Sequence, residues 1–202
     1  LSEFKGSWAG AMGHTQFIPT TYNHYAVDFT GDGTRDIWRS ISDALASTAN
    51  YLKKAGWQTG KTWGYEVKLP ANYNYAKSGF GIKKRLKDWQ RLGIKRVNGY
   101  NFPRPNDRAE LILPAGADGP AFLILKNFRV IMRYNKSLSY VLAVGHLGDR
   151  LLGYDAFIRP WPKNHRQLKY VEQKEIQTLL TQKGYKIGKI DGKIGGSTKK
   201  AI

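Results

Sequence analysis

The sequence contains no cysteine, which excludes disulfides and thiolate metal sites and leaves the redox compartment open. Acidic side chains are scarce: fifteen Asp and Glu stand against thirty-three Lys and Arg in 202 residues, a formal charge of +18. That excess predicts attraction to a polyanion, and nucleic acid, an anionic membrane and an anionic wall polymer all qualify. No apolar run approaches the roughly eighteen residues of a membrane span, although the 41% apolar content is a globular value. The N-terminus carries no basic leader with an apolar core and small-residue cleavage site, which predicts a mature form or a fragment.

What is present begins with Gly6 to Tyr22, GSWAGAMGHTQFIPTTY, whose first eight residues are nearly bare backbone. Gly10 and Gly13 suit turns closed to other residues, and Pro19 suits the first position of a helix over Thr20 to Tyr25. DFTGDGTRD, Asp28 to Asp36, reads as a turn. Ile41, Leu45, Ala49 and Leu52 recur at helical spacing within Ser40 to Ala55, with Gly56 just beyond. Tyr65 to Leu69 alternates like a strand, and Ile82 to Leu92 places Leu86, Trp89 and Leu92 on one helical face. Glu110 to Leu113 and Phe122 to Leu125, separated by PAGADGPA, predict a hairpin. Helical patterns return at Asn127 to Arg133 and Leu138 to Leu152. Residues 158–169, rich in Pro and positive charge, read as a linker. Beyond it, Val171 to Lys183 predicts a helix and Ser197 a cap for another. About 32 residues bury little core alone, so the tail reads as part of a small domain.

Four stretches, GSWAGAMGHTQFIPTTY, DGTRDIW, DALASTANYLKKAGW and NFRVIMRYNKSLSYVLAVGHLGDRL, resemble in order the lytic murein transglycosylase B family, which cleaves peptidoglycan glycan strands. The tail, with GYKIGKIDGKIGGST, is similar to the peptidoglycan-binding domain type 1. The resemblances imply an α+β, mainly helical chain: the C-terminal part of a lysozyme-like catalytic domain with a small hairpin region over 1–157, the linker, and an incomplete three-helix wall-binding domain over 170–202.

A saccharide groove needs backbone close to sugar rings, because polyols are held by many short hydrogen bonds and each Cβ would hold the ligand away. GSWAGAMG supplies such backbone, Trp8 an apolar face and Gln16 both donor and acceptor; tight chain packing is the other reading of so many small residues. The resemblance implies that Ser7, Gln16, Tyr134, Asn135 and Tyr140 line the saccharide cleft. It also implies an unusual chemistry. Most glycosidases use two carboxylates; here a single Glu protonates the glycosidic oxygen and then serves as base toward the muramic acid's own C6 hydroxyl, leaving a 1,6-anhydro sugar. In the family that Glu lies well upstream of GSWAGAMG. Glu3 reads as a solvated terminal charge, and Glu66, Glu110, Glu172 and Glu175 match no family acid, so the catalytic residue is expected outside this chain, in an N-terminal segment of the same protein.

Asp28, Thr30 and Asp32 occupy the first, third and fifth positions of an EF-hand-like loop, Gly33 the sixth and Thr34 the seventh, but the twelfth is Arg39, which cannot ligate. Some family members bind calcium there, and Asp43 follows as a substitute carboxylate; a plain Asx turn is the competing reading. No cofactor is required. His14, His24, His146 and His165 show no ligand spacing. The basic residues are interleaved with Trp, as in a nucleic-acid groove, but helix-turn-helix and RNA-binding signatures are missing, so the expected partner is the wall glycan and not nucleic acid. The expected location is the periplasm or outer-membrane surface of a bacterium, with membrane anchoring left open. The rival functions are a hydrolytic muramidase and a wall-binding fragment without activity.

Overall fold

The computed structural model describes residues 6–163, 166 and 168–202; Glu3 and His165 lie outside these described residues. At its centre is a five-stranded antiparallel sheet in the order β2-β4-β5-β1-β3. The strands are β1 (Gly64–Lys68), β2 (Lys83–Arg85), β3 (Lys95–Arg96), β4 (Arg108–Ile112) and β5 (Ala121–Ile124). The expected hairpin is its core, with Leu111 facing Leu123 and Ile112 facing Phe122. The sheet is larger than a hairpin region, and "mainly helical" overstates the helices. Lys83–Arg85, read as helical, pairs with β4 instead; charged residues at a sheet edge carry no apolar period to announce a strand.

Both sheet faces are covered, which explains why β4 and β5 are apolar runs and not alternating ones. On one face Leu111, Leu123 and Val67 pack with Leu86 and Trp89 of α3 (Leu86–Arg91). Leu92, assigned to the same face, is 42% exposed, because it caps the helix instead of continuing it. On the other face Ile112, Phe122 and Ile124 pack with Phe128, Ile131, Val141 and Leu142 from α4 (Lys126–Tyr134) and α5 (Leu138–Leu151). Glu110, 2% exposed, ties the sheet to α4 through Arg129 and lies 3.5 Å from Lys83. Buried Asn127, at the start of α4, accepts from the Gln58 amide and donates to the Gln58 and Lys61 carbonyls.

A third cluster, Phe17, Ala26 and Ile37 with Tyr22, Tyr25, Tyr51 and Tyr134 around it, joins the N-terminal stretch to α1 (Pro19–Tyr25), α2 (Ile41–Lys54) and α4. Helix α2 forms where its periodicity predicts, but turned: Ile41 and Leu45 are about two-thirds exposed while Asp43, Ala44 and Ser47 are buried. Polar anchoring decides this orientation. Asp43 accepts from the amides of Phe29, Thr30 and Asp36, and Ser47 from that of Val27, so leaving α2 this way satisfies loop donors that burial would otherwise strand.

Within 158–169, read as a linker, Ile158 and Arg159 donate their amides to Glu66, and Trp161 stacks on Phe122. Residues 164, 165 and 167 of it lie outside the described set. The tail forms α6 (Tyr170–Gln182) and α7 (Gly196–Ala201), with the loop between them held by buried Gln177, which bonds Asp191, the Gly192 amide and the Lys193 carbonyl. Ser197 lies inside α7 and Gly195 takes the cap.

Candidate active-site groove

The bare backbone of the opening stretch is built for packing against itself. Met12 bridges to both Gly6 and Phe17, and a Cβ on Gly6 would stand 2.9 Å from the Ala11 carbonyl. Gly13 has φ +60°, and a Cβ there would meet the Ile37 carbonyl at 2.6 Å, where the neighbouring His14 amide bonds that same oxygen. The close-packing reading therefore explains Gly6 and Gly13. It leaves Ser7 to Gly10 exposed, with Trp8 fully in solvent.

Gln16 is the one described non-glycine residue with positive φ, 52°, a conformation that costs a side-chain-bearing residue roughly 1–2 kcal/mol. The Phe17-Ile18-Pro19 corner holds it there: Phe17 is buried at its ring and returns its carbonyl to the Met12 amide. The Gln16 side chain stays exposed, with Nε2 donating to the Gly13 carbonyl. Ser7 Oγ accepts from the Ala11 amide at 3.1 Å.

The second half of the site comes from the α4–α5 corner. Tyr134, the last residue of α4, donates its hydroxyl to the Thr15 carbonyl, the residue beside Gln16. Its ring meets Tyr51 edge-on at 5.0 Å and lies 5.8 Å from Phe17. Tyr140, in the first turn of α5, lies parallel to Tyr134 with centroids 6.4 Å apart. Asn135 caps α4 and accepts from the Ser137 amide, which turns the chain so that the two rings share one side. Burial pushes the Tyr134 phenol up to about 12, with Tyr140 and Tyr51 adding to the rise and a Thr48 hydrogen bond opposing it; burial raises Tyr140 as well. Both phenols are neutral donors at ordinary pH. The structure thus joins Tyr134 to Tyr140 and to Thr15, the neighbour of Gln16, while the Ser7 and Asn135 side chains accept from amides in their own turns. Sequence reasoning missed Thr15 and Tyr51, whose hydroxyl also donates to the Arg133 carbonyl; the aromatic at the inward position of α2 was the available signal.

In the loop after α1, Asp28 accepts from the amides of Gly31, Asp32 and Gly33 and from the Thr30 hydroxyl, which holds its carboxyl below its ordinary range against the opposing effect of desolvation. Asp32 accepts from the Thr34 amide. Among the described residues no three Asp, Glu or His side chains converge as a metal centre, so an ion here would have to draw on hydroxyl and carbonyl oxygens of Thr30 and Thr34 beside Asp28, Asp32 and Asp43.

Residues 1–149 match the model of the transglycosylase SLT domain. The chain is 37% identical over 145 residues to membrane-bound lytic murein transglycosylase B of Escherichia coli K12, covering 72% of this chain and 39% of that protein. Its fold superposes on SltB3 of Pseudomonas aeruginosa, solved with NAG-NAM-pentapeptide, at a TM-score of 0.90 and 52% identity, over 100% of this chain and 54% of that one. The Escherichia coli lytic transglycosylase Slt35, solved with calcium, matches at a TM-score of 0.60 and 35% identity, over 73% of this chain and 46% of that one. The chain thus spans about half or less of the length of these relatives. By its matched domain, its aromatic corner and its fold, the chain belongs to the transglycosylase SLT domain family.

Proposed function

We propose that Gln16 and the Tyr134–Tyr140 pair line a groove that binds a peptidoglycan glycan strand, and that the parent protein cleaves the β-1,4 bond between N-acetylmuramic acid and N-acetylglucosamine to leave 1,6-anhydromuramic ends. The observation that carries this reading is the Tyr134 hydroxyl on the Thr15 carbonyl, which couples the polar lip at Gln16 to a wall of parallel rings. Aromatic faces and directed neutral donors are what a polyol ligand requires. Both phenols remain protonated at neutral pH, so they can orient a carboxyl group and stabilise charge developing beside it.

The acid is a carboxylate from another part of the polypeptide. Five of the described carboxylates are engaged away from the rings: Asp43 and Asp28 by loop amides, Glu66 by Ile158 and Arg159, Glu110 by Arg129 and Asp149 by Trp63. In the catalytic sequence this Glu donates its proton to the glycosidic oxygen as the bond to C1 breaks, then takes the proton from the C6 hydroxyl as that oxygen closes on C1. The residues here position the sugar and the acid. We also propose that the tail, α6 with α7, and the positive surface add adhesion to the wall, in the periplasm or at the outer-membrane surface; no described helix is long and apolar enough to cross a membrane.

Purified sacculi incubated with this chain should retain it without releasing anhydromuropeptides detectable by mass spectrometry. A form extended at the N-terminus should release them. Reducing muramic ends from the extended form would instead establish a hydrolytic muramidase, and binding without products from either form a wall-binding protein.

We also propose that the Asp28 loop accepts a structural calcium ion through Asp28, Thr30, Asp32, the Thr34 carbonyl and Asp43. Three amides already fold Asp28 inward, and the ion would rigidify the loop and take no part in bond cleavage.

A further inference from the structure

A cavity of about 600 Å³ lies between the β1 and β3 side of the sheet and the C-terminal half of α5. It is separate from the groove: Asp149 follows Tyr140 by nine residues, which places it about 13 Å along α5 and roughly 180° around it. Trp63, Tyr65 and Phe157 supply apolar wall, and Arg96, Arg104 and His146 stand among the polar lining. The volume is that of a small-ligand pocket.

The charges in this cavity are unevenly satisfied. Glu66 is closed by the amides of Ile158 and Arg159, both at 2.8 Å. Asp149 accepts from the Trp63 indole at 2.7 Å, and Asp107 lies 3.8 Å from Lys61. Arg96 and Arg104, by contrast, form no ion pair among the described residues. Arg96 spends one N–H on the Asn101 carbonyl and lies over the Tyr65 ring at 5.0 Å. Arg104 spends one on the Gly60 carbonyl. Each guanidinium has five N–H donors, so both keep donors for an anion, and their planar forks suit a carboxylate. Asp155, exposed at the rim, gives the opposite charge for an ammonium.

We propose that this cavity binds the carboxylate end of a short peptide, with Arg96 and Arg104 receiving the carboxylate and the Trp63, Tyr65 and Phe157 wall receiving its side chains. Identifying that peptide as the stem of the wall polymer rests on the proposed function; the carboxylate-binding cavity does not. A strand seated by its sugars in the groove would then be gripped a second time by a stem peptide on the other side of α5.

The test is a calorimetric and NMR titration of the chain with the free pentapeptide of NAG-NAM-pentapeptide and with its C-terminal amide. The acid should bind, with shifts at Trp63, His146 and Phe157, and the amide should bind at least tenfold more weakly. Arg104→Gln, at an exposed position, should weaken the acid about tenfold and leave the amide unchanged. Tyr140→Ala should leave peptide binding intact while reducing retention on peptide-free glycan. Equal binding of acid and amide, no effect of Arg104→Gln, shifts confined to Tyr134 and Tyr140, or full competition by inorganic phosphate would each overturn the proposal. Loss of glycan retention in the wild-type chain with peptide binding preserved would sink the groove reading alone.

Discussion

Tyr134 ends one helix and Tyr140 lies in the first turn of the next, yet their rings lie within 9° of parallel, and the Tyr134 hydroxyl is tied to the Thr15 carbonyl. In the proposed groove, Tyr134 therefore fixes the N-terminal stretch to the helix corner, while Tyr140, packed against the sheet and helix core along one side, keeps its hydroxyl for the proposed ligand.

Tyr134→Phe removes a bond to a buried carbonyl and should cost about 1–3 kcal/mol, a fall in Tm of roughly 2–4 °C per kcal/mol for a chain of this size. Tyr140→Phe should leave Tm within a degree or so while weakening sacculus retention. Differential scanning calorimetry beside a pull-down separates the two; equal losses of Tm would refute the division of labour.

The same phenol predicts an alkaline transition. Its folded pKa of about 12 exceeds the unfolded value near 10, so the stabilisation is complete below the unfolded value and is lost as pH rises from there through the folded one. Urea midpoints measured across that window should decline more steeply for wild type than for Tyr134→Phe.

Asp149 behaves similarly in the acid range. Burial raises its carboxyl above the ordinary value, with the Trp63 indole and His146 opposing. A carboxylate with a raised folded pKa favours the fold while protonated, and that advantage is lost as pH climbs through the folded value. Asp149→Asn keeps an acceptor for Trp63 and should match or exceed wild-type stability at neutral pH, with the difference closing in acid. A variant much less stable at neutral pH would contradict this.

Glu110 and Arg129 form a pair buried on the carboxylate side. Arg129→Ala should destabilise by about 3–5 kcal/mol, because Glu110, 3% exposed at its side chain, loses its close guanidinium partner, and the double change Glu110→Leu with Arg129→Met should recover most of that. Chemical denaturation of wild type and the two variants reads both effects.

If the Asp28 loop takes calcium, millimolar calcium should raise Tm in wild type and not in Asp32→Asn. An identical shift in both proteins, or none in either, would refute the site.

The sequence by itself determined most of what is local. Helical periods placed α2, α4 and α5, apolar runs placed β4 and β5, and ordered motifs located Gln16, Tyr134 and Tyr140, because spacing of side chains along the chain is enough to fix which backbone hydrogen-bonding pattern buries them. Tertiary structure decided how those pieces face one another. Helix α2 turned Ile41 and Leu45 outward because Asp43 and Ser47 satisfy amides of a distant loop, strand β2 formed from charged residues because β4 offered it an edge, and the glycines at 6 and 13 were claimed by neighbouring backbone. Thr15 and Tyr51 joined the candidate site for the same reason: partners more than eighty residues apart in the chain leave no periodic trace, and only packing brings their hydrogen bonds within reach.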